Sequence, residues 1–473
     1  MNTTQSKKQS LVAYFDRMAP IRDRWRARNK YYHRELLRLF LFFIPKGAQI
    51  LDIGAGTGDL LAGLDPARGL GVDISSQMIG EAQSKYPKLE WKVGDAETLA
   101  LGERFDYVIM SDLISSLDDI ERAFYALNGV SHPRTRVIVT YYNYVWEPML
   151  RLAELLGLKA RQPLQNWLSP KDIENMLHLA GFEVIKSGTK MCMPFYIPLV
   201  SACINKIIGN LPLLSRLGLV HYIVARPRPQ DAREYSVSVI IPARNEKGNI
   251  ESAIMRTPNF GTYQEIIFIE GHSNDGTSEE IKRVAEKYAG KHNIRYAEQK
   301  GRGKGDAVRL GFEMAKGEVL MILDADLTMP PEDLPKFYRA IASGGGEFIN
   351  GSRLVYPLED ESMRFLNILG NKFFSIMFSW LLGQRLKDTL CGTKVLFKSD
   401  YENIAAGRSY FGDFDPFGDF DLLFGAAKLN LKIVEIPIRY QARTYGSTQI
   451  QRWRHGWLLL KMTFFAMRKI KFI

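Results

Sequence analysis

AQILDIGAGTGD, residues 48–59, decides the first fold: an apolar strand runs straight into glycines and the start of a helix. Asp52, Gly54, Gly56 and Gly58 stand at that junction, where small residues let a ligand approach backbone amides at a helix N-terminus. A dinucleotide-binding loop wants glycine three places after Gly56. Asp59 stands there instead, so the G-x-G-x-G form argues against a pyrophosphate ligand. Outward from this point GLGVDIS, LEWKVGD, FDYVIMSD, TRVIVTYYN and HYIVARP follow as further strands, ending near residue 227. Strands alternating with helix-length connections predict a parallel sheet covered on both faces.

A second series opens at YSVSVIIPARNE (235–246) and continues through QEIIFIEG, NIRYAEQ and GEVLMILDADL. Between the two lies RPRPQDAREY (226–235), charged, polar and twice interrupted by proline, which is linker chemistry. The boundary falls near residue 231, which gives domains 1–230 and 231–473, and a chain of 473 residues is long enough for both. The fold class expected is α/β, with two Rossmann-like domains in tandem. Residues 11–45 precede the first strand as basic, amphipathic helix. They fit either a cover across the mouth of the first domain or a solvated helix with one buried stripe.

With 46% hydrophobic and 24% charged residues the chain is neither disordered nor fibrous in composition. Cys192, Cys203 and Cys391 lie far apart, which excludes a disulfide framework or a cysteine zinc site and suits a reducing cytoplasm. MNTTQSKKQS at the start has no apolar core, so no secretory signal is expected. The uncharged stretch Met191–Asn205 is short and broken by Pro194 and Pro198, so no transmembrane helix is expected either. A net charge of +11 calls for an acidic partner. Basic residues crowd 22–34 and Arg439–Lys471, but no zinc finger, RRM signature or basic zipper accompanies them. Phosphate ligands and a membrane surface therefore rank ahead of nucleic acid.

Residues 12–227 resemble class I S-adenosylmethionine-dependent methyltransferases, in particular the quinone-methyltransferase-like group. The resemblance implies S-adenosylmethionine bound over Asp52, Gly54, Gly56 and Gly58. It gives Asp73, which ends the second strand in GVDIS, the ribose hydroxyls, and places Asp95, with Ala96 beside it, at the adenine amino group. SDLISSLDD (111–119) would line the methyl-acceptor side. Each carboxylate taken singly also reads as a helix cap or loop residue; their order and spacing together carry the likeness. Methyl transfer is an in-line displacement that needs alignment and a dry cavity rather than a metal. No catalytic base is named. Tyr141, Tyr142, Asn143 and Trp146 are acceptor-side candidates, with plain packing as their alternative.

In the second series Asp324-Ala325-Asp326 closes the apolar run VLMIL. Side chains two apart on a strand point the same way, so both carboxylates can face one divalent cation, magnesium or manganese. Alone such a pair is unspecific. It stands here after SVIIPARNE (238–246), IEGHSNDGT (269–277) and GRGKGDAVRLG (301–311), and residues 236–450 resemble family 2 glycosyltransferases of GT-A type. KGDAVR, DADL, GSR and DTLCGTK (388–394) look most like the polyprenyl-phosphate sugar synthases, dolichyl-phosphate glucose synthase above all.

That resemblance implies a nucleotide-sugar donor. Pro242, Arg244 and Glu246 would line the nucleoside pocket, Glu270 would read the base with Asp275 in the adjoining turn, and Lys304 would approach the diphosphate. Asp324 and Asp326 would hold the metal, Asp326 being counted as catalytic. The family's V-D-D-G-S-x-D-G-T is altered, with Glu270 and Gly271 where it has its first two aspartates, which puts the base in doubt. Asp419 and Asp421 match the downstream acidic pair, one of them a candidate acceptor-side base. A lipid phosphate is already ionised near neutral pH and needs no strong base; Arg353, Lys394 and Arg443 are the candidates to hold it.

The closing segment QRWRHGWLLLKMTFFAMRKIKFI suits an interfacial helix on anionic lipid, or a packing helix with a basic face. The expectation is a cytoplasmic, peripherally membrane-bound bifunctional transferase. Its rivals are a soluble glycan or metabolite acceptor, and a scaffold with one silent domain.

Overall fold

The computed structural model describes residues 2–162, 165–212, 214–229, 231–353, 365–410, 418–443, 445–446 and 452–472. Two compact units divide the chain, Met1–Arg228 and Pro229–Lys471.

The first unit runs α1 (Asn2–Arg28), α2 (Lys30–Phe43), β1 (Gln49–Ile53), α3 (Asp59–Gly63), β2 (Arg68–Asp73), α4 (Ser76–Lys85), β3 (Glu90–Val93) and β4 (Phe105–Ser111). It continues with α5 (Ile120–Ala126), β5 (Ser131–Tyr142), α6 (Glu147–Leu155), α7 (Pro170–Leu179), β6 (Phe182–Lys190), α8 (Val200–Lys206) and β7 (Val220–Pro227). The strands form one sheet in the order β3-β2-β1-β4-β5-β7-β6. Its central strands read as unbroken apolar runs because both faces are covered. Leu51, Val108 and Val137 bury on one face, while Ile50, Ile109 and Ile138 bury on the other. The expectation of a parallel sheet holds from β3 to β5 and fails at β7, which is antiparallel to both β5 and β6. Strands β6 and β7 follow one another in the chain and pair directly, so no crossover helix is required.

Both readings of the N-terminal segment are realised, one by each helix. In α2, Tyr32, Leu36, Leu39, Phe40 and Phe43 recur at helical spacing and are all buried against the Ile50–Ile109–Ile138 face. Each such side chain contributes about 1.5–3 kcal/mol. In α1 the described side chains bury only Ala19, so this helix is held by polar contacts instead.

The second unit runs β8 (Val237–Ala243), α9 (Lys247–Arg256), β9 (Gln264–Glu270), α10 (Thr277–Lys287), β10 (Asn293–Glu298), α11 (Lys304–Met314), β11 (Val319–Ile322) and α12 (Leu334–Ala342). Then come β12 (Phe348–Ser352), α13 (Phe365–Leu382), β13 (Lys394–Phe397), α14 (Lys398–Ala406), α15 (Asp419–Lys428), β14 (Ile433–Pro437) and α16 (Arg452–Ile470). The sheet order is β10-β9-β8-β11-β13-β12-β14, parallel except for β13, which is antiparallel to β11 and β12. Ile240 pairs with Ile322 and Ala243 with Glu270, so the carboxyl ends of β8, β9 and β11 share one edge. Ligands of open α/β sheets bind at that edge. Among the described residues, no helix is long and apolar enough to cross a membrane.

Candidate active sites

At the carboxyl edge of the first sheet, Asp73 pins the glycine loop. Its two carboxylate oxygens accept from Gly56 N at 2.8 Å and from Ser75 N at 3.0 Å. Burial pushes its carboxyl above the ordinary range, and these two amides oppose the rise. Gly58 sits at φ 82°, a backbone region unfavourable to side chains, and a Cβ there would run into the Trp91 ring. Asp52, next to last in β1, has 1% of its surface exposed, and its Oδ1 has no hydrogen-bond partner among the described residues. Burial, with the neighbouring Asp73 adding, pushes its carboxyl up to about 7. A buried, unpartnered and perturbed acid at a sheet edge is what a cofactor cleft leaves waiting, and these residues fit S-adenosylmethionine.

Asp95 caps the turn Ala96–Thr98 through Glu97 N at 3.0 Å, and Lys8 of α1 pairs with its other oxygen. Ala96 is 8% exposed and belongs to the core. Helix α1 covers this edge with charged contacts. Asp16 accepts from Ser75 Oγ at 2.5 Å, Arg26 lies 3.7 Å from Asp59, and Arg22 lies against Gly56. Tyr14 OH donates to Arg161 O at 2.7 Å and Arg28 to Gly157 O at 2.9 Å. A cover across the mouth was one of two readings open to this basic helix, and the α1 side chains that make these contacts carry no signal in the sequence.

Where the resemblance sets the acceptor side, Asp112 follows β4 at φ 54° and receives Tyr32 OH at 2.5 Å and Thr140 Oγ1 at 3.4 Å. Burial raises its carboxyl, against both hydrogen bonds. Of the four acceptor-side candidates, Tyr142 faces this group, its ring 6.1 Å from Tyr32. Tyr141, one residue earlier on β5, turns to the opposite face and into the core, 5.0 Å from the His221 ring. Asn143 donates to Arg216 O at 3.0 Å and Gly218 O at 2.9 Å, and Trp146 Nε1 donates to Leu217 O at 2.7 Å. These two are tied to the β6–β7 connection.

In the second unit, Asp324 and Asp326 stand beyond β11, which ends at Ile322, in a turn closed by Leu327 N on Asp324 O at 3.1 Å. The strand alternation invoked from sequence therefore does not aim them; the turn does. Asp324 meets Lys304 Nζ at 2.5 Å. Burial pushes the Asp324 carboxyl up, but Lys304, Lys394 and Arg353 outweigh it and hold it below the usual range. Asp326 Oδ1 accepts from Thr328 N at 3.2 Å and Oγ1 at 2.8 Å, and its Oδ2 from Arg443 at 2.6 Å. Arg443 also donates to Glu246 Oε1 at 2.9 Å, so one guanidinium bridges two of the expected site acids. Burial lifts the Glu246 carboxyl, opposed by Arg443 and Asn249.

The remaining donor-side residues fall around this bridge. Pro242 is half-buried at the end of β8, and Arg244 just after it is exposed. Glu270 accepts from Ser273 N at 2.7 Å and His272 N at 3.0 Å, and Asp275 caps α10 through Thr277 N at 3.0 Å. The altered motif thus keeps a turn-organising carboxylate at position 270. Described residues after β14 return to this side of the sheet: Gln441 N donates to Thr328 O at 2.9 Å, and Tyr445 OH to Asp275 at 3.3 Å. Two hard carboxylates at one turn, ringed by cations, suit a divalent ion with phosphate.

Three further candidates are engaged elsewhere. Arg353 forms a two-pronged pair with Asp388, at 2.7 and 2.8 Å, and Lys394 is fully buried with Nζ donating to Cys391 O at 2.5 Å. Asp421 is buried on α15 against Arg408 at 2.7 Å and Arg309 at 3.6 Å. Of Asp419 only the backbone, at the start of α15, is described; its side chain lies outside the described part. In α16, Met462, Ala466 and Ile470 are buried, whereas Trp457, Leu460 and Phe464 are exposed. An apolar cavity of about 560 Å³, lined by Phe373, Met377, Trp457, Leu460 and Phe464, opens between α13 and α16.

Family models match both units: glycosyl transferase family 2 over residues 238–403, and a methyltransferase domain over residues 24–187. Dolichol-phosphate mannosyltransferase of Pyrococcus furiosus is 32% identical over 248 residues, 50% of this chain and 67% of that protein. Dolichol-phosphate mannosyltransferase of Saccharomyces cerevisiae is 37% identical over 110 residues, which cover 22% of this chain and 40% of that protein. A crystal structure of a SAM-dependent methyltransferase from Thermotoga maritima aligns with a TM-score of 0.36 at 19% identity, over 46% of this chain and 99% of that one.

Proposed function

We propose, from the premise that this chain belongs to the family 2 glycosyltransferases through its second unit and carries a SAM-dependent methyltransferase domain as its first, that its second half transfers a sugar from a metal-bound nucleotide to a polyprenyl phosphate and its first half transfers a methyl group to an acceptor of its own. The observation that carries the sugar-transfer reading is the pair Asp324 and Asp326, each balanced by a cation from a distant element, Lys304 and Arg443.

A divalent ion held by the two carboxylates would supply charge neutralisation at the departing diphosphate. The chain's own part is positional. Lys304 and Arg443 offer fixed positive charge to phosphate oxygens at the same spot, while Glu246 and Asp275 hold the turns that border the nucleoside. Arg353 and Lys394 are the deeper cations behind Asp324. A phosphate acceptor arrives ionised, so neither Asp419 nor Asp421 has to remove a proton. The exposed apolar face of α16 and the cavity beside it support a polyprenyl chain lying at a membrane surface, and with it a peripheral, cytoplasmic-side location.

For the first half, S-adenosylmethionine supplies an activated methyl group. Asp52 and Asp73 orient it, α1 excludes water above the glycine loop, and Tyr32 and Asp112 meet the acceptor. The test is donor binding and transfer to a polyprenyl phosphate with and without manganese. Asp326→Asn is expected to abolish both while cofactor binding by the first unit persists. Sugar transfer by the substituted protein would remove the metal assignment, and a native protein that neither hydrolyses nor transfers any donor would favour the scaffold alternative.

A further inference from the structure

Strands β6 and β7 are adjacent and antiparallel, a pairing that a turn of a few residues can close. The chain instead spends residues 191–219 between them. Long connections in compact domains usually have work to do. This one holds apolar side chains outward. Phe195 is 58% exposed, Tyr196 60% and Leu199 87%, and Leu199 sits at φ 62°, a strained conformation for leucine.

The strain is held by buried polar groups. Ser201 Oγ accepts from Ile197 N at 2.7 Å and donates to Phe195 O at 2.8 Å. Asn205 accepts from Met193 N at 2.9 Å and donates to Met193 O at 2.8 Å. The tip thus satisfies these backbone groups internally while showing hydrocarbon outside, the condition an apolar medium imposes.

A second apolar surface adjoins it. Helix α6 buries none of its side chains and exposes Met149 by 61% and Leu155 by 84%. Trp146, at its start, is hydrogen-bonded to Leu217 of the connection. Tyr31 of α2 lies 5.7 Å from the Tyr196 ring and receives Asn205 Nδ2 at 3.0 Å, while its neighbour Tyr32 holds Asp112. The platform therefore borders the acceptor side. From Val184 to Gln230 the sequence has no Asp or Glu, but carries Lys190, Lys206 and Arg216. The two carboxylates of α6 are each paired, Glu147 with Arg151 and Glu154 with Lys159, so apolar tips beside a connection that carries cations and no carboxylate match an anionic bilayer.

We infer that the β6–β7 connection and α6 form a platform that seats the first unit on an anionic lipid surface, and that the methyl acceptor is a lipid-borne molecule presented to the Asp112 side. The second clause rests on the methyltransferase reading; the docking does not.

The test is co-sedimentation of the full chain with vesicles of phosphatidylcholine, alone or mixed with phosphatidylglycerol. Binding is expected only to the acidic vesicles, and Phe195→Ser with Leu199→Ser should lower it about tenfold or more. The same pair is tested in a chain carrying Trp457→Ser and Phe464→Ser, which removes the contribution of α16. Binding in that background that ignores Phe195 and Leu199 overturns the inference. Leu199→Trp gives a direct readout, since its emission should shift to the blue on acidic vesicles; an unchanged spectrum, or a vesicle-free dimer formed through this surface, also overturns it. S-adenosylhomocysteine titration checks that the variants are folded. If no protein in the set binds it, the methyltransferase reading fails while the vesicle result stands.

Discussion

Arg443 donates to Asp326 at 2.6 Å and to Glu246 at 2.9 Å, tying the stretch after β14 to the turns that follow β11 and β8. A planar guanidinium reaches two carboxylates at once; a lysine ammonium on a flexible stem does so poorly. Arg443→Lys is expected to cut sugar transfer by about 100-fold, the scale of losing one well-placed electrostatic contact. Steady-state transfer assays check this, with cofactor binding by the first unit as the control for folding. Near-native transfer would show that the bridge is incidental.

Gly392 makes a different demand on the same site. A Cβ there would overlap the Asp324 carboxylate and the Lys304 ammonium. Gly392→Ala should displace the pair and weaken donor binding by at least about tenfold, since a shift near one ångström at a binding group is costly. Calorimetric titration of donor with manganese decides the matter, and an unaltered affinity contradicts it.

Asp52 predicts a pH dependence. Its carboxyl is raised from 3.8 to about 7 in the folded unit, by burial first and Asp73 second. Between those values the folded chain keeps a proton that the unfolded chain releases. Its contribution is therefore complete below the unfolded value and is lost as pH rises towards 7, at up to about 1.4 kcal/mol per pH unit. Asp52→Asn should abolish that slope and leave the cofactor-free first unit more stable than the native one at pH 8. Scanning calorimetry across that range tests it; a native-minus-variant difference independent of pH would count against it.

Phe40 is fully buried on α2, beneath the face that carries Ile50 and Ile138. Phe40→Ala should destabilise the first unit by about 3–5 kcal/mol, and denaturant unfolding followed on that unit measures it. A loss below about 1 kcal/mol would mean that the α2 stripe is not part of the core.

Much of both sites is written in consecutive residues. A strand end followed by small or turn-forming residues is a local pattern, so Asp52, Gly58 and Asp73 in one unit, and Glu270, Asp275 and Asp324 in the other, are legible from sequence alone. The same locality misleads in places. DAD follows an apolar run and reads as strand, yet the turn and not the pleat orients its carboxylates. Tyr141 and Tyr142 read alike although β5 sends them to opposite faces. Arg353 and Lys394 read as candidates to hold a lipid phosphate, and folding pairs one with Asp388 and sets the other on a backbone carbonyl.

The two α/β folds, their order and the strand ends at which the candidate sites lie were legible in the residues alone, because strand and helix periodicity and turn chemistry act over a few neighbouring positions. Which cations serve which acids came from long-range packing. Arg443 reaches Glu246 across 197 positions and Asp326 across 117, and Lys8 reaches Asp95 from a helix with almost nothing buried. A long charged side chain takes whichever partner the returning chain sets beside it, and no local pattern records that choice.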